Sequence, residues 1–127
     1  MTRISGYGTG EKSGNKFHAV RTYSEICKRE FASKSEARRG EELALLERAG
    51  GISKLEYQPK FVLYNKPRIT YTADFRYTIK TDWYNNLSET VVEDVKGVLA
   101  RETRVKLAWL QEKTGITVRL VTKEELR

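Results

Sequence analysis

The chain has 127 residues and a hydrophobic fraction of 39%, which suffices for one compact core but hardly for two. Lysine and arginine together number 24 against 17 aspartate and glutamate residues, so the formal net charge is +7. This basic balance is typical of proteins that bind phosphate backbones, although a soluble basic protein without that role has the same composition. The single cysteine, Cys27, excludes an intrachain disulfide and a zinc site built on several thiolates.

The chain has no apolar run near the roughly 20 residues that a membrane-spanning helix requires. Its first residues also lack the apolar segment of a signal peptide, so we expect a cytoplasmic location and no membrane partner. Residues 1–16 contain four glycines and few apolar side chains. This composition predicts a flexible basic tail, followed by a single domain over residues 17–127.

The predicted elements begin with a short hairpin, because FHAVRTY and ICKREFA alternate β-branched or aromatic residues around a Ser-Glu pair. A helix is predicted from Lys34 to Ala49, since Ser33 and Glu36 match a capping box and two glycines follow. KLEYQPKFVLYN and RITYTADFRYTIK are each predicted to form one strand, with a turn at the intervening NKP. ETVVEDVKGV predicts a further strand.

RETRVKLAWLQEKTG has the composition of a helix that ends at Gly115, and ITVRLV after it predicts a last strand. The elements therefore follow as helix, three strands, helix and strand after the hairpin. We predict an α/β fold in which a mixed sheet of about four to five strands is flanked by the two helices.

Acidic side chains occupy two of the predicted strands, Asp74 in one and Glu93 with Asp94 in the other. Strand side chains alternate between faces, so Asp94 and Lys96 share one face while Glu93 points to the other. If the two strands pair antiparallel about a turn centred on Tyr84, Asp74 and Asp94 become direct cross-strand neighbours. Their Cβ atoms would then lie about 5 Å apart, a distance at which two carboxylates require a counter-ion.

The cluster of Asp74, Asp94 and Lys96 has two explanations. In the simpler one it is an ion cluster at the rim of a sheet, which contributes little. In the other, the carboxylates bind Mg²⁺, with Mn²⁺ as a substitute, and the metal activates a water for attack on a phosphate. Lys96 would then stabilise the charge that develops on the phosphate or orient the water.

The segments ADF at 73–75 and EDVKG at 93–97, preceded by SKSEARRGEELALLERAGGISKLEYQPKF, resemble the PD-(D/E)xK nuclease superfamily. The similarity is to an uncharacterised, mostly phage-encoded branch, and it covers roughly residues 16–121. It implies a restriction-endonuclease-like core and metal-dependent hydrolysis of DNA. Two departures from the superfamily pattern are visible, since Ala73 replaces a proline and Asp94 stands where glutamate is commoner.

The resemblance implies a metal site whose ligands are Asp74, Asp94 and the carbonyl of Val95. It makes Lys96 the catalytic lysine. Many superfamily members add an acid from the first helix, which here is Glu36, with Glu41 and Glu42 as substitutes. Glu36 also has a plain structural explanation, because a glutamate at this position completes the capping box.

Further residues are expected at the edge of the catalytic site or in contact with DNA. Gln58, before Pro59, matches a Gln-Pro pair of the superfamily, although a polar side chain that caps a strand end would look the same. Lys34, Arg104 and Lys106 on the two predicted helices are candidates for DNA phosphate contacts. Charged residues on an amphipathic helix also form its solvated face without binding a ligand.

The expected function is Mg²⁺-dependent endonucleolytic cleavage of DNA in phage DNA metabolism. A chain of this length has no obvious second domain that reads a base sequence, so we expect recognition of DNA shape, as in branched DNA and Holliday junctions. Cutting two strands requires two sites, which predicts a homodimer, with the tail and residues 17–31 as contacts to the partner or to DNA. A non-catalytic DNA-binding module of the same fold and a nuclease directed at RNA are the alternatives.

Overall fold

The structure is a computed structural model that describes residues 20–96 and 99–122. In chain order its elements are β1 (Thr22–Ser24), β2 (Arg29–Phe31), α1 (Lys34–Arg48), β3 (Ile52–Tyr57), β4 (Lys60–Asn65), β5 (Arg68–Thr72), β6 (Phe75–Asp82), β7 (Leu87–Lys96), α2 (Arg101–Thr114) and β8 (Arg119–Thr122). The predicted tail over residues 1–16 and the beginning of the predicted hairpin lie outside the described residues. Neither described helix has the length and apolar character needed to cross a membrane.

The central sheet contains four strands in the order β3, β6, β7 and β8. β6 pairs antiparallel with both β3 and β7, whereas β7 and β8 are parallel, so the sheet is mixed. A parallel pair needs a crossover connection, which α2 supplies between β7 and β8. β1 with β2 and β4 with β5 form separate two-stranded sheets. The predicted α/β fold with a mixed sheet and two helices is confirmed.

Two clusters of buried apolar side chains cover opposite faces of the central sheet. The first packs α1 against the sheet and contains Phe31, Ala37, Leu43, Ile52, Phe75, Tyr77, Val95 and Val121. The second packs α2 and the β4–β5 hairpin against the sheet and contains Leu63, Tyr71, Ala73, Val92 and Leu110. Val92 and Val95 lie three positions apart in β7 and therefore point to opposite faces. The two helices thus enclose the sheet from its two sides.

Both long β-rich runs divide into two strands, where the sequence predicts one strand each. The first breaks at Gln58 and Pro59, because Gln58 has a left-handed φ of 55° and Pro59 has no N–H to donate. The second breaks at Ala73 and Asp74. The two breaks lie against each other, since the Gln58 N–H donates to the Asp74 carbonyl at 2.9 Å and the Ala73 N–H to the Pro59 carbonyl at 3.0 Å. Beyond this point the chain leaves the central sheet as the β4–β5 hairpin.

The helices follow the sequence signals closely. α1 begins after Ser33, whose hydroxyl accepts from the Glu36 N–H at 3.1 Å, and ends one residue before the predicted Ala49. Within α1, a Cβ atom on Gly40 would lie 2.7 Å from the Phe31 ring, so the absence of a side chain permits the close packing of α1. α2 ends at Gly115, which has a φ of 80°. These termini confirm the predicted helices to within one residue.

Candidate metal and phosphate site

The β6–β7 hairpin brings the two predicted acids together. Its pairing places Phe75 opposite Glu93 and keeps the same spacing about Tyr84 as far as Lys80 and Ser88, after which the register shifts by a β-bulge or irregularity. Asp74 directly precedes Phe75, and its N–H donates to the Glu93 carbonyl at 3.1 Å. Asp74 itself lies just before β6, and its carboxyl group shares a hydrogen bond with the Asp94 side chain, so the two predicted acids are in contact.

The two carboxylates are held by different partners. The Oδ2 atom of Asp74 accepts from the Val95 N–H at 2.7 Å. Asp94 is only 1% exposed, and its Oδ2 atom accepts a hydrogen bond from the Tyr71 hydroxyl. The Lys96 ammonium lies 3.4 Å from the same Asp94 oxygen and is one-third exposed. A cation from the strand end thus faces one carboxylate, and its partial exposure leaves it accessible to a ligand.

Burial and the neighbouring acid perturb the ionisation of Asp74. Burial raises the pKa of Asp74 to about 9, assisted by a hydrogen bond with Asp94, by the Asp94 charge and by the charge of Glu36. The Val95 N–H opposes the rise but does not cancel it. Two carboxylates this close do not both ionise without a neutralising charge. At neutral pH the Asp74 carboxyl therefore stays protonated.

Glu36 in the first turn of α1 belongs to the same electrostatic cluster. Burial raises its pKa, the Asp94 charge raises it further, and the Ala32 N–H and the Lys96 charge lower it. The capping bond to Ser33 uses the Glu36 backbone N–H, not its carboxylate. The cap and a role in the site therefore do not compete, and the structure brings Glu36 close to both acids.

Val95 and Gln58 contact the loop that carries Asp74. The N–H and C=O groups of one strand residue point to the same edge, so the Val95 carbonyl lies on the side where its N–H meets Asp74. The carbonyl oxygen is thus placed next to the acid pair. The Gln58 N–H donates to the Asp74 carbonyl, and its side chain is exposed. Gln58 therefore lies at the rim of the site, and its side chain faces solvent.

The three predicted phosphate contacts are distributed over both helices. Lys34 is exposed at the first position of α1, two residues before Glu36, and so lies at the helix end nearest the acids. Arg104 is exposed and Lys106 half-buried in the first half of α2. α2 packs on the face of the sheet to which Val92 points, and Asp94 shares that face. All three cations are thus accessible on elements that border the acid pair.

A family model described as "Protein of unknown function (DUF1064)" matches residues 15–123. The chain belongs to the DUF1064 family. No curated protein and no solved structure matches the chain. All of the candidate site residues lie within the DUF1064 match, but the description of the family assigns no chemistry to them. The chemistry must therefore be inferred from the site itself.

The residues that support the acids in this DUF1064 chain were not evident from sequence. Tyr71 is buried, and its hydroxyl donates to the Asp94 carboxylate. Glu93 is fully buried on the other face, where the Arg39 guanidinium donates to both of its oxygens at 2.8 Å. The Tyr77 hydroxyl also donates to Glu93, and Arg119 lies 3.3 Å away. The one available signal was that a carboxylate on a core-facing strand position needs a cationic partner.

The Glu93 carboxylate stays ionised although it is buried. Burial acts to raise its pKa, but hydrogen bonds from Arg39 and Tyr77 and the charges of Arg39 and Arg119 hold the pKa below its ordinary value. This ion pair joins α1 to β7 at the position next to Asp94. The helix that carries Glu36 is thereby fixed relative to the strand that carries Asp94.

The donor atoms of the site suit a hard cation. Across residues 20–96 and 99–122, no three or more Asp, Glu, His or Cys side chains are arranged to enclose a metal ion. The oxygen donors at hand are the Asp74 and Asp94 carboxylates and the Val95 carbonyl, with Glu36 close by. Mg²⁺ commonly binds through one or two carboxylates and keeps several of its waters. A set of carboxylate and carbonyl oxygens therefore fits this ion.

Proposed function

We propose that the protein is a Mg²⁺-dependent endodeoxyribonuclease of the PD-(D/E)xK type that hydrolyses DNA phosphodiester bonds. One observation carries this proposal: the Asp74 and Asp94 carboxyl groups share a hydrogen bond beside the β6–β7 hairpin, the pKa of Asp74 is raised, and Lys96 lies 3.4 Å from Asp94. A carboxylate pair that is destabilised without a cation is suited to metal binding. A lysine next to it is suited to a reacting phosphate.

Each residue of the site has a separate task in this proposal. Asp74 and Asp94 would hold Mg²⁺, with Mn²⁺ as a substitute, together with the Val95 carbonyl, and Glu36 would complete the site. Bound Mg²⁺ supplies Lewis-acid chemistry, in which a water is acidified and phosphate charge is neutralised. Lys96 places its ammonium where negative charge grows on the phosphate, and it orients the attacking water. Tyr71 positions Asp94 through its hydroxyl.

The acid pair also favours catalysis over simple DNA binding. A binding module gains affinity from cations that neutralise phosphates, whereas buried acids that face the backbone oppose it. The formal charge of +7 and the exposed Lys34 and Arg104 supply the attraction to DNA. An intact acid pair within this basic surface is therefore more consistent with hydrolysis than with a DNA-binding module that has lost its activity.

The proposed substrate is branched DNA, cut by a homodimer with one site per subunit. The described elements all build the sheet, its two helices and two small hairpins around the site, and recognition of DNA shape requires no contacts to base edges. Two coordinated cuts across a junction need two sites related by symmetry. Light scattering gives the mass in solution, and competition between a labelled four-way junction and linear duplex of the same sequence gives the selectivity.

The decisive experiment is a cleavage assay on plasmid, four-way junction and RNA of matching sequence, with Mg²⁺, Mn²⁺ or EDTA. Cleavage of DNA that requires Mg²⁺ or Mn²⁺ and disappears in Asp94→Asn supports the proposal. The matched control is Glu89→Gln, which removes an exposed carboxylate from the same strand. Robust cleavage in excess EDTA, or wild-type turnover by Asp94→Asn, would overturn the metal site. Cleavage of RNA but not of DNA would show that the protein is a nuclease directed at RNA.

A further inference from the structure

The far end of the β6–β7 hairpin projects beyond the rest of the sheet. β3 pairs with β6 as far as Ile79, and β8 pairs with β7 from Glu93 onward. Between these limits, residues 80–88 form a two-stranded extension, which we call the arm. Every residue from 83 to 90 is exposed. Among the described residues the arm has no third strand beside it, so its composition does not reflect packing in the core.

Two large aromatic side chains are displayed at the tip of the arm. Trp83 is 73% exposed and Tyr84 is 95% exposed. Aromatic side chains bury about 150–250 Å² when covered, at roughly 25 cal/mol per Å² of apolar surface. Two adjacent aromatic residues in water therefore leave a large favourable contact unused, which is characteristic of a binding surface.

The tip has a fixed conformation. The Asp82 carboxylate accepts from the Tyr84 N–H at 3.0 Å, from the Asn85 N–H at 3.2 Å and from the Asn85 side-chain amide at 2.7 Å. The Lys80 ammonium lies over the Trp83 ring, 5.5 Å from its centroid. The aromatic pair is thus preorganised, which reduces the conformational entropy lost on binding.

We propose that this tip binds unpaired nucleobases, with Trp83 and Tyr84 stacking on bases exposed at a branch, gap or end of the DNA. The inference rests on the proposed nuclease function and specifies the feature of the substrate that is recognised. Flat, uncharged aromatic faces match the faces of bases and tolerate any base sequence. The charges of the arm do not suit a phosphate backbone, because Lys80 is accompanied by the acids Asp82 and Glu89.

The distance between the tip of the arm and the acids determines where cleavage would occur relative to an unpaired base. Nine residue steps separate Asp74 from Trp83, which corresponds to roughly 30 Å of extended strand. Duplex DNA rises about 3.4 Å per base pair, so this span corresponds to about nine base pairs. An unpaired base at the tip would place the acid pair on duplex within about nine nucleotides of the discontinuity. Cleavage should therefore occur at a limited, fixed offset from a branch point.

Tryptophan fluorescence tests the stacking directly. The chain has two tryptophans, so Trp109→Phe leaves Trp83 as the single reporter. In EDTA, which prevents metal-dependent cleavage, a four-way junction with a single-stranded gap and a (dT)₂₀ strand should quench this emission, and a blunt duplex should not. Labelling the unsubstituted protein with 5-fluorotryptophan and recording ¹⁹F spectra gives the same information if Trp109→Phe does not fold.

Binding measurements provide a second, independent test. Trp83→Ala combined with Tyr84→Ala should weaken binding to the gapped junction by about 10-fold or more. The slope of log affinity against log salt should stay unchanged, because no phosphate contact is lost. The matched control is Tyr64→Ala, which removes a tyrosine that is 50% exposed on β4 and should leave the affinity unchanged.

The outcomes separate this inference from the nuclease proposal. Unchanged Trp83 emission and unchanged affinity of the double variant, in a protein that cleaves DNA, would overturn the stacking site alone. Quenching by gapped DNA in a protein that does not cleave DNA with Mg²⁺ or Mn²⁺ would support the stacking site and overturn the nuclease proposal. An emission that depends on protein concentration without DNA, together with loss of a dimer in Trp83→Ala, would identify a second copy of the chain as the occupant and overturn base stacking.

Discussion

Replacing Asp74 by asparagine should stabilise the metal-free protein at neutral pH. Burial and the neighbouring Asp94 raise the pKa of Asp74 to about 9, so the folded protein retains a proton that the unfolded chain releases. Asparagine is neutral without taking up a proton on folding, and it keeps an oxygen that accepts from the Val95 N–H. The substitution therefore removes the cost of protonating residue 74 in the folded state and keeps the hydrogen bond from the Val95 N–H.

The sign and size of this stabilisation follow from the linkage between proton binding and folding. A carboxyl whose pKa is raised by folding contributes stability that is complete below its unfolded pKa of about 4 and is lost as the pH rises through the folded pKa. The loss approaches about 1.4 kcal/mol per pH unit, which gives a ceiling of about 4 kcal/mol at pH 7. Because solvent reaches part of the site and screens its charges, we expect Asp74→Asn to gain about 1–3 kcal/mol. For a domain of this size that is a rise in Tm of about 3–12 °C.

Thermal unfolding of EDTA-treated protein from pH 5 to pH 9 measures this effect. The Tm of the wild type should fall across this range, and that of Asp74→Asn should fall less. Millimolar Mg²⁺ should raise the Tm of the wild type and leave that of Asp74→Asn nearly unchanged, with Glu89→Gln behaving as wild type. A lower Tm for Asp74→Asn than for the wild type at pH 8 in EDTA would refute the perturbed acid pair. An equal Mg²⁺ response of both proteins would refute metal binding at Asp74.

Three further predictions concern activity and stability. Asp94→Asn and Lys96→Ala should each abolish Mg²⁺-dependent cleavage while a gel-shift assay shows DNA binding retained; wild-type turnover by either would contradict the assigned roles. Ca²⁺ should support DNA binding but not cleavage, because its longer and looser coordination misplaces the water, and a cleavage assay with Ca²⁺ as the sole metal checks this. Arg39→Ala should lower the free energy of unfolding by about 3–5 kcal/mol in urea titrations, because the buried Glu93 loses its bidentate partner; an unchanged midpoint would show that this ion pair is not needed.

The sequence by itself determined the features that depend on local spacing. The cap at Ser33 and the glycines at 50–51 and 115 delimit both helices, because helix ends need local partners for their backbone groups. The position of Tyr84 midway between Asp74 and Asp94 predicted that the two acids meet, and the observed pairs from Phe75–Glu93 to Lys80–Ser88 are centred on the same residue. Strand alternation placed Lys96 on the face of Asp94.

Only the tertiary structure decided which elements and side chains meet. Strand propensity is the same on both sides of Gln58 and of Asp74, so it could not show that the chain leaves the central sheet there. Arg39 and Glu93 are 54 residues apart, and nothing local to either selects the other. The exposure of Trp83 likewise depends on where β3 stops pairing with β6. Such contacts arise from packing between distant segments, whose geometry is set by the whole fold and not by any one stretch of sequence.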